Sequence, residues 1–141
     1  METAFLAIMN VSAAMLFGGM FAFTGFFAPM AFSRLPEEES GPFVQGIFPV
    51  YYVAGTVLAA TGAFSALGAM RQPEAIILWL VALGFLFSRY YLMPRTVKAR
   101  EERERGETGA AERFADLHKR AAFLNMVQLI CCLVVLIRVV L

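Results

Sequence analysis

A small set of side chains in this sequence has the types and spacing to surround one ligand. They are Gln45, Tyr51 or Tyr52, Arg89, Tyr90 or Tyr91, His118 and Asn125. Arg89 is the most demanding. It stands in the stretch LFSRYYLMPR, just beyond an apolar run from Ala75 to Phe87, with no acid beside it. An arginine deep in a membrane costs about 2.5–3.5 kcal/mol on insertion scales, and less near the interface. Its planar fork of donors suits carboxylate and phosphate. The acids available to it sit on the rim: Glu37, Glu38, Glu39 and Asp116. Otherwise its partner is a set of carbonyls, a lipid phosphate or an anionic ligand.

The other members follow from helical spacing. At 100° per residue, His118, Asn125 and Cys132 fall nearly in line, with Ala121 and Gln128 on the same broad face. A single polar stripe on an apolar helix turns inward. Proline removes the hydrogen bond to the carbonyl four residues earlier. Pro29 therefore frees Gly25, Pro49 frees Gln45, and Pro94 frees Tyr90. Such carbonyls must find protein or water as partners. The plainer reading is that these polar groups only tie helices together, each bond adding about 0.6 kcal/mol. No catalytic residue is assigned, and the chain is expected not to be an enzyme. No metal or cofactor is expected either. Cys131, Cys132 and the single histidine show no C-x-x-C or H-x-x-x-H spacing, and the adjacent cysteines leave a redox role open.

The elements that must position these residues are membrane helices. The chain is 60% hydrophobic and 16% charged, well away from the balance of soluble domains. A net charge of +1 gives no basic surface for nucleic acid. A span needs about 20 mostly apolar residues. Four segments qualify, at about 4–32, 42–70, 74–93 and 110–141. The first lacks the basic n-region and cleavage site of a signal peptide. The expectation is an all-α, integral-membrane, four-helix antiparallel bundle forming one domain over residues 1–141.

The segment from Arg95 to Arg120 carries eight Lys/Arg and six Asp/Glu. It is expected to be a charged, partly helical cytoplasmic loop between helices three and four, broken at Gly106 and Gly109, with Glu101/Arg105 and Arg100/Glu104 as helical pairs. Contact with anionic lipid headgroups is the sharper reading of this run. Lys/Arg counts place loops one and three in the cytoplasm. Both termini are then outside, and a bacterial inner (plasma) membrane is the expected location. Stripes of small residues, Ala14/Gly18/Ala22 on helix one and Gly55/Ala59/Ala63 on helix two, are expected to face one another. Use of one stripe for a homo-oligomer is the alternative.

The quoted residues also carry a likeness. GFFAPMAFSRL, GIFPVYY, SRYYLMPR and FADLHKRAAFLN, in that order, resemble the transmembrane-protein-205-like family, or domain of unknown function 4149. On this chain the pattern falls on Gly25, Ala28, Pro29 and Phe32, then on Phe48, Pro49 and Tyr51. It continues on Arg89, Tyr91 and Pro94, closing helix three, and ends on Leu117, His118 and Asn125. The resemblance implies a four-helix membrane protein without a settled activity. A fainter likeness to copper-resistance-D-type and haem-pathway oxidases conflicts with the single histidine, which rules out bis-histidine ligation within one chain.

The function expected is a small membrane protein binding a lipid, small anion or other ligand in a polar pocket at the cytoplasmic leaflet, within a transport or resistance system. The alternatives are a membrane oxidoreductase or haem-linked enzyme, and a structural subunit of a larger membrane complex. Membrane lipids are the expected partners.

Overall fold

The computed structural model describes residues 1–141 and is all-helical. Its α-helices are α1 (Glu2–Ala22), α2 (Ala28–Arg34), α3 (Glu37–Gly68), α4 (Gln72–Phe87), α5 (Met93–Glu104) and α6 (Ala110–Val140). A π-helical turn, Phe23–Phe27, welds α1 to α2, and another, Ser88–Leu92, welds α4 to α5. The result is four rods, Glu2–Arg34, Glu37–Gly68, Gln72–Glu104 and Ala110–Val140, each long and apolar enough to cross a membrane.

Proline explains both π turns. Pro29 and Pro94 follow them directly and cannot donate a backbone hydrogen bond. The preceding residues reach back five positions instead: Ala28 N–H donates to Phe23 O, and Met93 N–H to Ser88 O. The wider turn lets the helix continue through each proline. Pro94 therefore does not close helix three, which runs on to Glu104. The first connection is also shorter than expected. Only Leu35 and Pro36 lie outside helix, because Glu37, Glu38 and Glu39 form the acidic first turn of α3, where the helix dipole favours negative charge.

The remaining connections are helix caps. At Ala69–Arg71, Arg71 N–H donates to Ala66 O and Met70 N–H to Leu67 O. At Arg105–Gly109, Glu107 N–H donates to Glu102 O and Gly106 N–H to Arg103 O. This paired pattern needs a left-handed residue. Gly106 supplies it at φ 74°, whereas Met70 adopts φ 57° with a side chain that resists it.

α1 packs against α3 and α6, and α4 packs against the same two helices. The backbones of α1 and α4 stand diagonally across the section, as do those of α3 and α6, so the rods close a ring. The interior is built from small residues, Ala13, Ala59, Ala63, Ala66, Ala75 and Ala82, filled by Met9, Leu16, Met20, Leu78 and Phe85. Larger apolar side chains point outward, among them Phe21, Phe26, Phe64, Leu80, Phe123 and Ile130. An exterior this apolar needs lipid around it.

The two small-residue stripes differ. Gly55, Ala59 and Ala63 are buried. A Cβ at Gly55 would lie 2.7 Å from the Phe85 ring, so this glycine admits α4, not α1. Ala14, Gly18 and Ala22 face outward, and nothing lies within 4 Å of the Cβ position at Gly18. The expected face-to-face crossing does not form. α1 packs instead through Met9, Ser12, Ala13, Leu16 and Met20, whose volume fills the ring where small residues alone would leave voids.

Candidate functional site

The structure divides the expected pocket residues between two places. Tyr51 and Asn125 meet in the bundle. The Tyr51 hydroxyl donates to Asn125 Oδ1 at 2.6 Å, and Asn125 Nδ2 donates to Thr24 Oγ1 at 2.9 Å. This node joins α3, α6 and the first π turn. Phe23 stacks on Tyr51 at 4.6 Å between ring centroids, with Phe48 and Phe85 edge-on to it. Thr24 was not singled out in the sequence. One signal marked it: it lies five residues before Pro29, as Arg89 lies five before Pro94. Nearby, buried Gln128 donates to Val81 O at 2.9 Å. Gly84 makes room for it, since a Cβ there would sit 2.7 Å from Gln128 Nε2. These bonds tie helices together.

His118 does not join Asn125. It is exposed and stacks on Phe114 at 6.1 Å. The stripe His118–Asn125–Cys132 runs from an exposed residue to a buried one, because α6 packs on α5 as well as on α1 and α4. Cys132 is buried. Gln45 is half-buried and makes no side-chain hydrogen bond. Arg89 is half-buried beside the Tyr90 ring at 5.4 Å, and its Nε is buried without a hydrogen-bond partner. None of the seven ion pairs includes Arg89, so neither the first-loop glutamates nor Asp116 neutralises it. Of the freed carbonyls' helices, only those holding Gly25 with Pro29 and Tyr90 with Pro94 switch to π geometry. α3 stays α-helical through Pro49.

Tyr91 faces elsewhere. It is exposed, stacks on Phe87 at 4.8 Å, and lies 4.1 Å beneath the Arg95 guanidinium. These three residues belong to a groove between α4–α5 and α6. Its apolar part has a volume of about 750 Å³ and is walled by Leu83, Phe87, Leu92 and Leu124, with Arg95 and Arg120 at its end. A second cavity of about 550 Å³ adjoins it, sharing Arg95 and Leu117 and adding Lys98, Glu102, Arg113 and Asp116. Walls therefore change from leucine and phenylalanine to charge along one channel.

The charges in this channel are not fully matched. Arg113 pairs with Glu102 at 2.8 Å, and Arg120 with Asp116 at 3.0 Å. Beyond the apolar span, the Arg113 hydrogen bond, with desolvation opposing it, holds the Glu102 carboxyl below its usual range. Lys98 reaches Glu102 only at 4.0 Å. Arg95 has no carboxylate. The Tyr91 ring covers one face of its guanidinium and leaves the N–H edge free, as cation–π geometry does. No group of three or more His, Cys, Asp or Glu is arranged to hold a metal ion.

A different arrangement occupies the other end of the ring. Glu74 is 1% exposed, accepts from Arg138 Nε at 3.0 Å and forms an ion pair with Arg71 Nη2 at 3.0 Å. Arg71 Nη2 also donates to the Arg138 carbonyl at 2.9 Å. Sequence reasoning assigned Arg71 and Arg138 no partner. The Arg71–Glu74 spacing was legible there, but the contact with Arg138, 64 residues away, was not.

Four apolar rods with large side chains turned outward define a polytopic integral membrane protein. More narrowly, residues 11–105 match the family described as Domain of unknown function (DUF4149), and the chain belongs to that family. The matched residues run from α1 to just past α5, and α6 lies beyond them. No curated protein and no solved structure matches the chain.

Proposed function

We propose that this protein binds an amphiphilic ligand in the groove between α4–α5 and α6, at the cytoplasmic leaflet. The carrying observation is the groove's own gradient: its apolar walls adjoin, at Arg95 and Leu117, a charged cavity. Ligand pockets are mostly apolar with a few polar groups that fix orientation. The Tyr51–Asn125–Thr24 node then holds the rods rigid behind the groove. The likeness to transmembrane-protein-205-like proteins agrees with a membrane role and supplies no activity.

The placement rests on an antiparallel bundle with both termini outside, in a bacterial inner membrane. Lys/Arg crowd the α5–α6 hairpin, and the positive-inside rule puts such a segment in the cytoplasm. Labelling a cysteine placed at Glu104 from the outer face alone would reverse that orientation.

Native mass spectrometry of gently extracted protein tests the binding itself. The wild type should retain a small molecule through purification. Leu124→Trp, which fills the groove, should release it. Wild-type protein that arrives empty from several extraction conditions would sink the reading.

A further inference from the structure

We infer that the occupant is a membrane phospholipid with a net negative headgroup, its phosphate held by Arg95 with Lys98 beside it and an acyl chain lying along Phe87, Leu83 and Leu124. This deepens the proposed function and rests on it. Charge complementarity selects the occupant. The mouth carries Arg95, Lys98, Arg113 and Arg120 against two acids, Glu102 and Asp116. Those acids are taken by Arg113 and Arg120. Arg95 is left with a free N–H edge on the lip where the apolar walls begin, and Lys98 stands next to it. Guanidinium groups match phosphate with two parallel hydrogen bonds.

Geometry sets the rest. From Leu83 to Arg95 the rod rises about 18 Å at 1.5 Å per residue. That is the reach of one acyl chain measured from its headgroup. Tyr91, packed under Arg95, sits between the two zones, where aromatic rings with a polar tip are at home. A free anion would use the mouth and leave the walls empty. A neutral lipid would fill the walls and leave Arg95 unmatched.

The test mixes purified protein in a neutral detergent with phosphatidylglycerol and phosphatidylcholine of matched chains, and counts bound lipid by native mass spectrometry. Phosphatidylglycerol should be retained at least about fivefold better, the preference one cation gives near a membrane surface. Arg95→Gln with Lys98→Gln should bring the two lipids to parity. Arg105→Gln, which removes one charge from the same hairpin outside the groove, should leave the preference intact. Equal retention of both lipids by the wild type overturns the headgroup assignment and keeps the groove as a ligand site. Retention of neither overturns both. Displacement of phosphatidylglycerol by millimolar inorganic phosphate, with no lipid rebinding, would show a free-anion site and overturn the acyl-chain half. A preference lost equally in Arg105→Gln would reduce the effect to bulk charge and overturn the role of Arg95.

Discussion

The two ends of the ring treat arginine in opposite ways. At the end holding the chain termini, Arg71 and Arg138 close on one buried carboxylate, Glu74, and on a backbone carbonyl. At the other end Arg95 lies on an aromatic ring with no acid, and Arg89 forms no ion pair. A charge satisfied by its own chain holds structure together. A charge left open, beside an apolar groove, is available to something outside the chain. The contrast predicts that substitutions at the first end change stability, and that substitutions at the second change binding.

The largest effect is expected at Glu74. Removing one partner of a buried ion pair typically costs 3–5 kcal/mol, because the charge left behind is unpaired. Here Arg71 and Arg138 keep partial access to water, which lowers the cost. Glu74→Ala should lose about 3 kcal/mol, read as a fall in thermal midpoint in detergent. Arg138→Gln should lose less, since Arg71 still reaches the carboxylate. A Glu74→Ala protein that melts like the wild type would remove the contrast between the two ends.

Packing at mid-membrane gives a scale for comparison. Gly55→Ala drives a Cβ to 2.7 Å from the Phe85 ring, and overpacking of this kind costs about 1–3 kcal/mol. Gly18→Ala meets nothing within 4 Å and should leave the midpoint unchanged. The pair, measured together, separates the buried stripe from the outward one. A loss at Gly18 equal to that at Gly55 would mean that a second copy covers α1.

This pair also marks what the sequence discloses. Both stripes look alike as strings of small residues, and only α3 buries its own. Spacing gives the face of a helix but not its neighbour, and membrane helices lack the polar outer surface that would tell inside from outside. The four rods were legible because length and hydropathy are local properties. Pro29 and Pro94 were legible as irregularities, but not as π turns that let the helix pass. At the site, Tyr51 and Asn125 came together from helix periodicity. His118 did not, because heptad spacing says nothing about where along a helix exposure gives way to burial. Glu74 with Arg138, and the groove itself, depend on contacts between distant segments.

Among the charged positions the smallest effect on stability is expected at Arg95, where the contrast is sharpest. Its guanidinium forms no ion pair and lies on the face of Tyr91, and an exposed cation–π pair contributes about 0.5–1 kcal/mol. Removing an exposed charge near Lys98 and Arg120 also relieves some like-charge repulsion, which offsets part of that loss. Arg95→Gln should therefore shift the midpoint of lipid-free protein by less than about 0.5 kcal/mol equivalent. Ligand adds stability only to the form that binds it, by an amount set by concentration over Kd. Adding phosphatidylglycerol should raise the wild-type midpoint and raise that of Arg95→Gln much less. Thermal unfolding of both proteins with and without lipid gives all four values in one experiment. If Arg95→Gln falls in lipid-free detergent as far as Glu74→Ala does, Arg95 is a structural strut like Arg71, and the two ends of the ring do not differ in kind.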